Sequence, residues 1–289
     1  MSDRALFESN FIERTYPSVV SDMSIAFSEL VANSWDAGAT RVNITIPDKQ
    51  GEPIIIEDDG SGMTNEEFRS RWMVFAYNRV NHQGEYVEFV APDSTKIRRI
   101  AYGRNGVGRH SLVCFDDHYS IETWKDGYMN KYRIAVRGGD SAFSIEDFSK
   151  TLKEGHGTKI TVNAVKHFPD ALTITKTLGY KFMFDPQFEI YVNGSRVEYH
   201  NSLSPDKEDT IKTKYGDMQI SIYRIPEGEK ATSNNGIAMW VNGRLVGRPA
   251  WTIGEYKIED ARRKFALKHV IIIKADFLIS DVAYDWTGF

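Results

Sequence analysis

Glu29, Asn33 and Asp36 stand at spacings i, i+4 and i+7. In a helix that spacing puts all three on one face. The stretch from Ser18 to Ala37 reads as such a helix: Val20, Met23, Phe27, Leu30 and Val31 form an apolar stripe, and Gly38 is a stop signal. A carboxylate and a carboxamide four residues apart can do two jobs at one phosphate group. The Asn33 amide oxygen can complete the shell of a magnesium ion, which takes few protein ligands and prefers phosphate oxygens and water. The Glu29 carboxylate can orient and deprotonate an attacking water. A helix face turned to solvent would carry the same residues, so the triplet by itself leaves both readings open.

Three further groups follow. Asp58-Asp59-Gly60-Ser61-Gly62-Met63 comes directly after the apolar run Ile54-Ile55-Ile56. A carboxylate at a strand end followed by two glycines lets the backbone turn sharply and approach a ligand, and Asp58 can accept a hydrogen bond from an exocyclic amine such as that of adenine. The same residues also make an ordinary turn. Gly103-Arg104-Asn105-Gly106-Val107-Gly108-Arg109 spaces its glycines so that backbone N–H groups and a following helix start can bind phosphate. It is not a Walker A loop, because Arg109 and His110 follow Gly108, and no dinucleotide fingerprint sits in a parallel βαβ unit. A flexible loop has the same composition. Gly157-Thr158 opens the strand TKITV, where a hydroxyl can steady a buried carboxylate.

The elements that must position these groups are legible in outline. RVNITI (41–46) and Ile54–Ile56 read as strands joined by the turn chemistry of PDKQGEP. Thr64 to Glu67 is a capping box opening a helix toward Ala76. Residues 77–102 lose periodicity and carry mixed charge, which suggests a long, mobile segment. Strands are expected near 118–124, 130–136 and 158–162, then a helix around 169–184. From Phe188 onward the pattern is hairpins, with Val192-Asn193-Gly194 and Val241-Asn242-Gly243 as turn signals and a late apolar strand from Val270. The reading is a mixed α+β first domain over 1–185 and a strand-rich α/β domain over 186–289.

The 289 residues are 41% hydrophobic and 26% charged, which excludes a disordered or low-complexity chain. With 36 basic against 40 acidic residues the net charge is -4, so charge lends nucleic-acid binding no support, although a local patch could hide in a balanced total. A single cysteine, Cys114, excludes an internal disulfide and a Cys-based zinc cluster. No apolar stretch reaches the roughly 18 residues of a membrane helix, and the polar amino terminus is not a signal peptide. These points suggest a cytoplasmic location.

Taken in order, Glu-x-x-x-Asn-Ser-x-Asp-Ala, Asp-x-Gly-x-Gly-Met, a Gly-rich loop and Gly-Thr on a strand resemble the GHKL ATPase superfamily, from residue 18 to about 162. The resemblance implies a Bergerat fold, an α/β sandwich that holds ATP between a sheet's helical layer and a lid, here residues 77–102. It implies that Glu29 is the general base and Asn33 the ligand of a Mg²⁺ cofactor. Asp36 would support the adenine side of the pocket, Asp58 would bind the adenine amino group, and Asp59 fills the variable position after it. Gly60 and Gly62 would shape the turn, Met63 would lie against the base, and Thr158 would bond Asp58 directly or through water. Gly103, Arg104, Asn105, Gly106, Val107, Gly108 and Arg109 match the phosphate loop. The implied reaction is Mg-dependent hydrolysis of ATP to ADP and phosphate, coupled to lid closure and nucleotide-dependent homodimerisation.

Within the superfamily, a histidine kinase does not fit, since no histidine precedes His82. The Asn-Ser-x-Asp-Ala pattern sits closer to MutL, Microrchidia proteins and the heat-shock chaperones, whose second, transducer domain has a ribosomal-protein-like fold. IAMWVNGRLVGR resembles the strand-turn of MutL-type transducers. Those supply a lysine or arginine to the γ-phosphate; here Ser280 to Phe289 has neither, and Lys264, Lys268 and Lys274 are the candidates, each equally a surface lysine. The ending at Asp285-Trp286-Thr287-Gly288-Phe289 suggests an excised ATPase region or a compact variant. Arg98, Arg99, Arg104 and Arg109 form a basic cluster explained by phosphate neutralisation; His110, His118 and the tryptophans read as structural. A nucleotide-gated module with slow or no hydrolysis, and the ATPase part of a DNA-processing clamp, are the alternatives.

Overall fold

A computed structural model describes residues 21–90, 94, 96–103, 106, 108–136, 143–182, 188–197, 205–224, 236–242, 244–253, 255–283 and 288–289. The chain divides into two compact units: one runs to residue 179 and takes in 185–198, the other comprises 180–184 and 199–289.

The first unit begins with helix α1 (Met23–Asp36). Asp22 caps it, its carboxylate accepting from the Ser24 and Ile25 amides at 2.9 and 3.2 Å, which satisfies two of the N–H groups a helix start leaves unpaired. Then follow β1 (Arg41–Thr45) and β2 (Pro53–Asp58). Helix α2 (Asn65–Glu67) carries the expected capping box, in which Thr64 and Glu67 bond each other's backbone. The expected helix toward Ala76 does not run on regularly. It widens into a π-helical turn over Phe68–Trp72 and breaks before Ala76, whose φ of 53° no helix accepts.

The described residues of 77–102 carry more regular structure than their sequence suggested. They form α3 (Arg79–Gln83) and the antiparallel hairpin β3 (Tyr86–Val90) and β4 (Lys96–Ile100). Periodicity is hidden because the apolar residues that this two-stranded hairpin buries are only Val87 and Ile97, with Phe89 half-buried, and its third buried residue is a charged one. Its anchor is Arg99, 7% exposed. The Arg99 guanidinium donates to the Trp35 and Ala39 carbonyls, both at 2.7 Å, and lies 4.0 Å from the Trp35 ring centroid and 4.7 Å from that of Phe89. Trp35 Nε1 returns a bond to the Ile100 carbonyl at 2.9 Å. Arg99 is therefore a packing residue on the end of α1, not a phosphate neutraliser, and Arg98 pairs instead with Glu88 at 3.3 Å.

A 3₁₀ turn (Gly108–Cys114) leads to β5 (His118–Lys125), β6 (Tyr128–Val136), β7 (Phe143–Leu152), β8 (Gly157–Asn163) and α4 (Ala171–Lys181). The hairpin β9 (Glu189–Val192) and β10 (Ser195–Arg196) closes an eight-stranded sheet of order β10-β9-β1-β2-β8-β5-β6-β7. All neighbours are antiparallel except β1 and β9, where Val42 pairs with Ile190. The expected boundary at residue 186 therefore falls too early, because β9 supplies the partner that β1 lacks on that edge. Along the inner strands alternate residues are buried, among them Val42, Ile44, Ile54, Ile56, Ile121, Ile134 and Ile160. The helical side contributes Phe27, Leu30 and Val31, with Phe27 edge-on to Phe115 at 5.4 Å. The opposite face of β1, with Arg41, Asn43 and Thr45, is exposed, as a one-sided antiparallel sheet requires.

The second unit is a five-stranded sheet of order β11-β12-β17-β13-β14, built from β11 (Lys207–Thr213), β12 (Gly216–Arg224), β13 (Ile237–Val241), β14 (Arg244–Ala250) and β17 (His269–Lys274). Only β13 and β17 are parallel. Between β14 and β17 come the small hairpin β15 (Thr252–Ile253) and β16 (Tyr256–Lys257), then α5 (Lys264–Lys268). Trp240 packs with Ala238, Leu245 and Ile272 in one cluster, and Trp251 with Ile237 and Ala266 in another. The α+β class, a Bergerat-type sandwich followed by a strand-rich unit, is as the motifs implied. The tryptophans at 72, 124, 240 and 251 are core residues; Trp286 lies outside the described residues.

Replacing Arg99 with alanine should cost the first unit about 3 kcal/mol, from two charge-assisted hydrogen bonds and a desolvated ring contact. Hydrogen exchange of the Val87 and Ile97 amides should accelerate selectively. Unchanged exchange there would show that something other than Arg99 holds the hairpin.

Candidate nucleotide site

The polar face of α1 meets the glycine loop near both of the loop's ends. At the carboxyl end, Asp36 accepts the Tyr102 and Gly103 amides, each at 2.7 Å. At the other end Gly108 lies so close to Glu29 that a Cβ on residue 108 would collide with the Glu29 carboxylate. The loop thus runs antiparallel to the helix, from Asp36 toward Glu29, with Asn33 between the two anchor points. Gly106, at φ +62°, passes against the Tyr77 backbone where any side chain would clash. Arg104, Asn105 and Val107 lie outside the described residues.

Asn33 is held on a regular helix, yet its buried Nδ2 has no hydrogen-bond partner among the described residues. Leaving a buried amide unpaired costs roughly 1–3 kcal/mol, and native proteins seldom accept that without a use. Since amide nitrogen and oxygen exchange by rotation about one bond, the group suits either a phosphate oxygen or a metal ion. Among the described residues no three His, Cys, Asp or Glu side chains gather as a metal site.

The second focus is Asp58, 8% exposed at the end of β2. It accepts Ser34 Oγ at 2.8 Å and the Gly60 amide at 3.0 Å. Burial dominates these bonds and pushes its pKa up to about 6; neighbouring Asp59 raises it further, while Ser34, Gly60 and the Thr158 backbone amide oppose the rise. Thr158 is in register with Asp58 across the sheet, but its hydroxyl faces Thr123 Oγ1 at 3.2 Å. The direct support that Thr158 gives the Asp58 carboxylate comes from its backbone amide.

The turn after Asp58 is gripped from three sides. Gly60 abuts Ala37, with the Ser61 amide bonding the Ala37 carbonyl at 2.7 Å. Gly62, at φ +61°, presses on the Trp124 carbonyl, where a Cβ would overlap. The Met63 amide donates to Thr123 Oγ1 at 2.8 Å. Asp59 turns away from this site, accepting the Thr40 and Arg41 amides at 2.7 and 2.8 Å and capping β1. A cleft of about 450 Å³ opens alongside, walled by Asp36, Ala37 and Gly38, by Ser61, and by Tyr86, Phe89 and Arg98 of the hairpin.

Arg109 departs from its expected place in the phosphate loop. Its guanidinium bonds the Arg71 carbonyl and lies 5.7 and 5.6 Å from the Trp72 and Tyr77 ring centroids; burial lowers its pKa to about 10. It pins the loop to the root of the hairpin segment. His110 is buried between Phe75 and Phe143, and burial followed by the Arg109 charge drives its pKa down to about 3, so it is neutral. Sequence reasoning missed Ser34, Thr123 and His156, whose Nδ1 lies 2.8 Å from the Gly60 carbonyl. Ser34 and His156 sit inside or beside the motifs; Thr123 carries no signal beyond strand alternation.

Residues 20–158 match the family described as histidine kinase-, DNA gyrase B-, and HSP90-like ATPase. With the sandwich and the ordered motifs, this match identifies residues 20–158 as a GHKL-type ATPase region. Among curated proteins the chain is 28% identical over 257 residues to the DNA mismatch repair protein MutL of Streptococcus thermophilus, covering 79% of this chain and 37% of that one. It is 27% identical over 180 residues to the chaperone protein HtpG of Chlorobium phaeobacteroides, covering 61% and 27%. It is 29% identical over 170 residues to a putative type II restriction enzyme, HgiDII, of Herpetosiphon aurantiacus, covering 55% and 26%. The chain therefore spans about a quarter to two-fifths of the length of these relatives. Among the described residues no helix is long and apolar enough to cross a membrane.

The raised pKa of Asp58 has a defined sign. The folded state binds its proton more tightly than the unfolded state, so stability is greatest below the unfolded value and declines as pH rises from roughly 4 to 6, by on the order of 3 kcal/mol in all. Asp58→Asn should flatten denaturation midpoints across that window. An unchanged slope in the variant would place the proton elsewhere.

Proposed function

We propose that this chain binds ATP with Mg²⁺ and hydrolyses it to ADP and phosphate, using Glu29 as general base. The observation that carries the reading is the α1 face: Glu29 against one end of the glycine loop, Asp36 capping the other, and between them Asn33, whose buried Nδ2 has no partner among the described residues. Asp58 accepts the adenine amino group, and Met63 and the Asp58–Gly62 turn close round the base. Asp36 acts by holding the start of the loop, so that the Gly103–Gly108 amides meet the phosphates already ordered. Asn33 holds the metal, and when bound the ion neutralises phosphate charge and polarises the bond to be broken.

Glu29 abuts the end of the loop, which suits it to draw a proton from a water directed at the terminal phosphate. Nucleotide closes the hairpin-bearing segment, residues 77–102, and drives pairing of two copies through the segment before residue 18. Lys264 and Lys268 on α5 and Lys274 at the end of β17 are the three candidates for the transducer cation. The relatives differ in their named tasks, mismatch repair, chaperoning and restriction. What they share with this chain is the nucleotide engine, so no client or nucleic acid is assigned.

Phosphate release from Mg-ATP, measured over a protein concentration series, tests the reading. Turnover should rise with concentration, and Glu29→Gln should lower it about 10²–10⁴-fold with ATP affinity little changed. Full turnover in the variant would remove Glu29 from the chemistry. ATP binding without release in the parent chain would make it a nucleotide-gated switch.

A further inference from the structure

We infer that Thr123, which no motif marks, is a positioning residue for recognition of the base. The inference rests on the nucleotide reading above. Four polar residues stand in one cross-strand row on the buried face of the sheet: Asp58 is in register with Thr158, Thr158 with Thr123, and Thr123 with Asn130. All four are buried, Thr123 completely. Elsewhere that face is mainly apolar, and a row of buried polar groups is costly unless each is used.

Thr123 sits at the crossing point. Its hydroxyl oxygen accepts the Met63 amide at 2.8 Å and lies 3.2 Å from Thr158 Oγ1 and 3.3 Å from the Gly157 carbonyl. One side chain on β5 therefore ties together the turn after Asp58 and the Gly157–Thr158 strand start, which are remote in sequence. A threonine hydroxyl has one proton to give. Donated to Thr158 Oγ1, it leaves the Thr158 proton free to point into the site beside Asp58. Donated to the Gly157 carbonyl, it fixes the backbone whose next amide supports Asp58. Either way Thr123 sets the donors around the carboxylate that must accept the base, while its oxygen holds Met63 in place. Asn130, at the end of the row with a buried unpartnered Oδ1, continues the polar surface away from Asp58.

The conservative test is Thr123→Val, which keeps shape but leaves the Met63 amide without its acceptor, with Thr123→Ser as the rescue. Affinities for Mg-ATP and for Mg-ITP, whose base carries a carbonyl in place of the amine, are measured by calorimetry on the full chain. The parent should prefer ATP by at least about tenfold, since a site built to pair an amine leaves its acceptor unpaired with a carbonyl. In Thr123→Val that preference should shrink by about tenfold through loss of ATP affinity, with ITP little affected, and Thr123→Ser should restore it. General destabilisation would weaken both nucleotides alike, and a thermal melt of each variant identifies it. A parent chain without preference for ATP would overturn the nucleotide reading itself. A preference kept intact in Thr123→Val, or lost only in step with stability, would overturn the role of Thr123 while leaving that reading in place.

Discussion

Burying one carboxylate at the end of β2 sets the terms for everything around it. Asp58 cannot be left bare inside the sandwich, so the chain brings it Ser34 from α1, the Gly60 amide from its own turn and the Thr158 amide from β8. Those three donors come from a helix, from the turn itself and from the neighbouring strand. Each must hold position for the others to be useful, which couples the pitch of α1, the sharpness of the Asp58–Gly62 turn and the register of β2 on β8. Even so, burial prevails over the donors. The site thus retains a group that would be better solvated elsewhere, as expected where structure is held in readiness for a ligand.

Helix α1 is the spine of the arrangement, and its faces divide the labour. Phe27, Leu30 and Val31 turn into the core; Ser34 reaches Asp58; Glu29 and Asp36 meet the loop; the Trp35 ring and carbonyl receive Arg99. A single helix can address sheet, loop and hairpin at once because residues three and four apart share a face while their neighbours do not. The glycines of the loop follow from the same economy of space. At 103 and 108 the helix side chains already occupy the volume a Cβ would take, and at 106 the Tyr77 backbone does.

Local pattern carried much of this into the sequence. The i, i+4, i+7 triplet, the capping box at Thr64, the Asn-Gly hairpins with Asn193 and Asn242 at positive φ, and the alternating strands are all short-range statements that the fold respects. What escaped was decided at long range. Arg99 reads as one more surface cation until Trp35 and Ala39 supply its acceptors. Arg109 reads as a phosphate ligand until the Arg71 carbonyl claims it. The hairpin β3–β4 looked featureless because most of its side chains face solvent. Strand β7, with seven exposed residues running from Glu146 to Leu152, shows no alternation for an equivalent reason at the sheet edge. Thr123 is unremarkable in sequence, since its importance lies wholly in which strands flank it.

The parallel pairing of β1 with β9 also bears on how the molecule is made. Val42 and Ile44 emerge early from the ribosome, yet the residues that cover their open edge, Ile190 and Val192, are synthesised after every other strand of that sheet except β10. Throughout that interval the nascent chain carries an uncapped strand with one apolar face, a template for wrong pairing. The first unit cannot be completed co-translationally until the Asn193 turn has cleared the exit tunnel. A shortened version cut at the helix before β9 would keep every nucleotide motif and still leave that strand edge open.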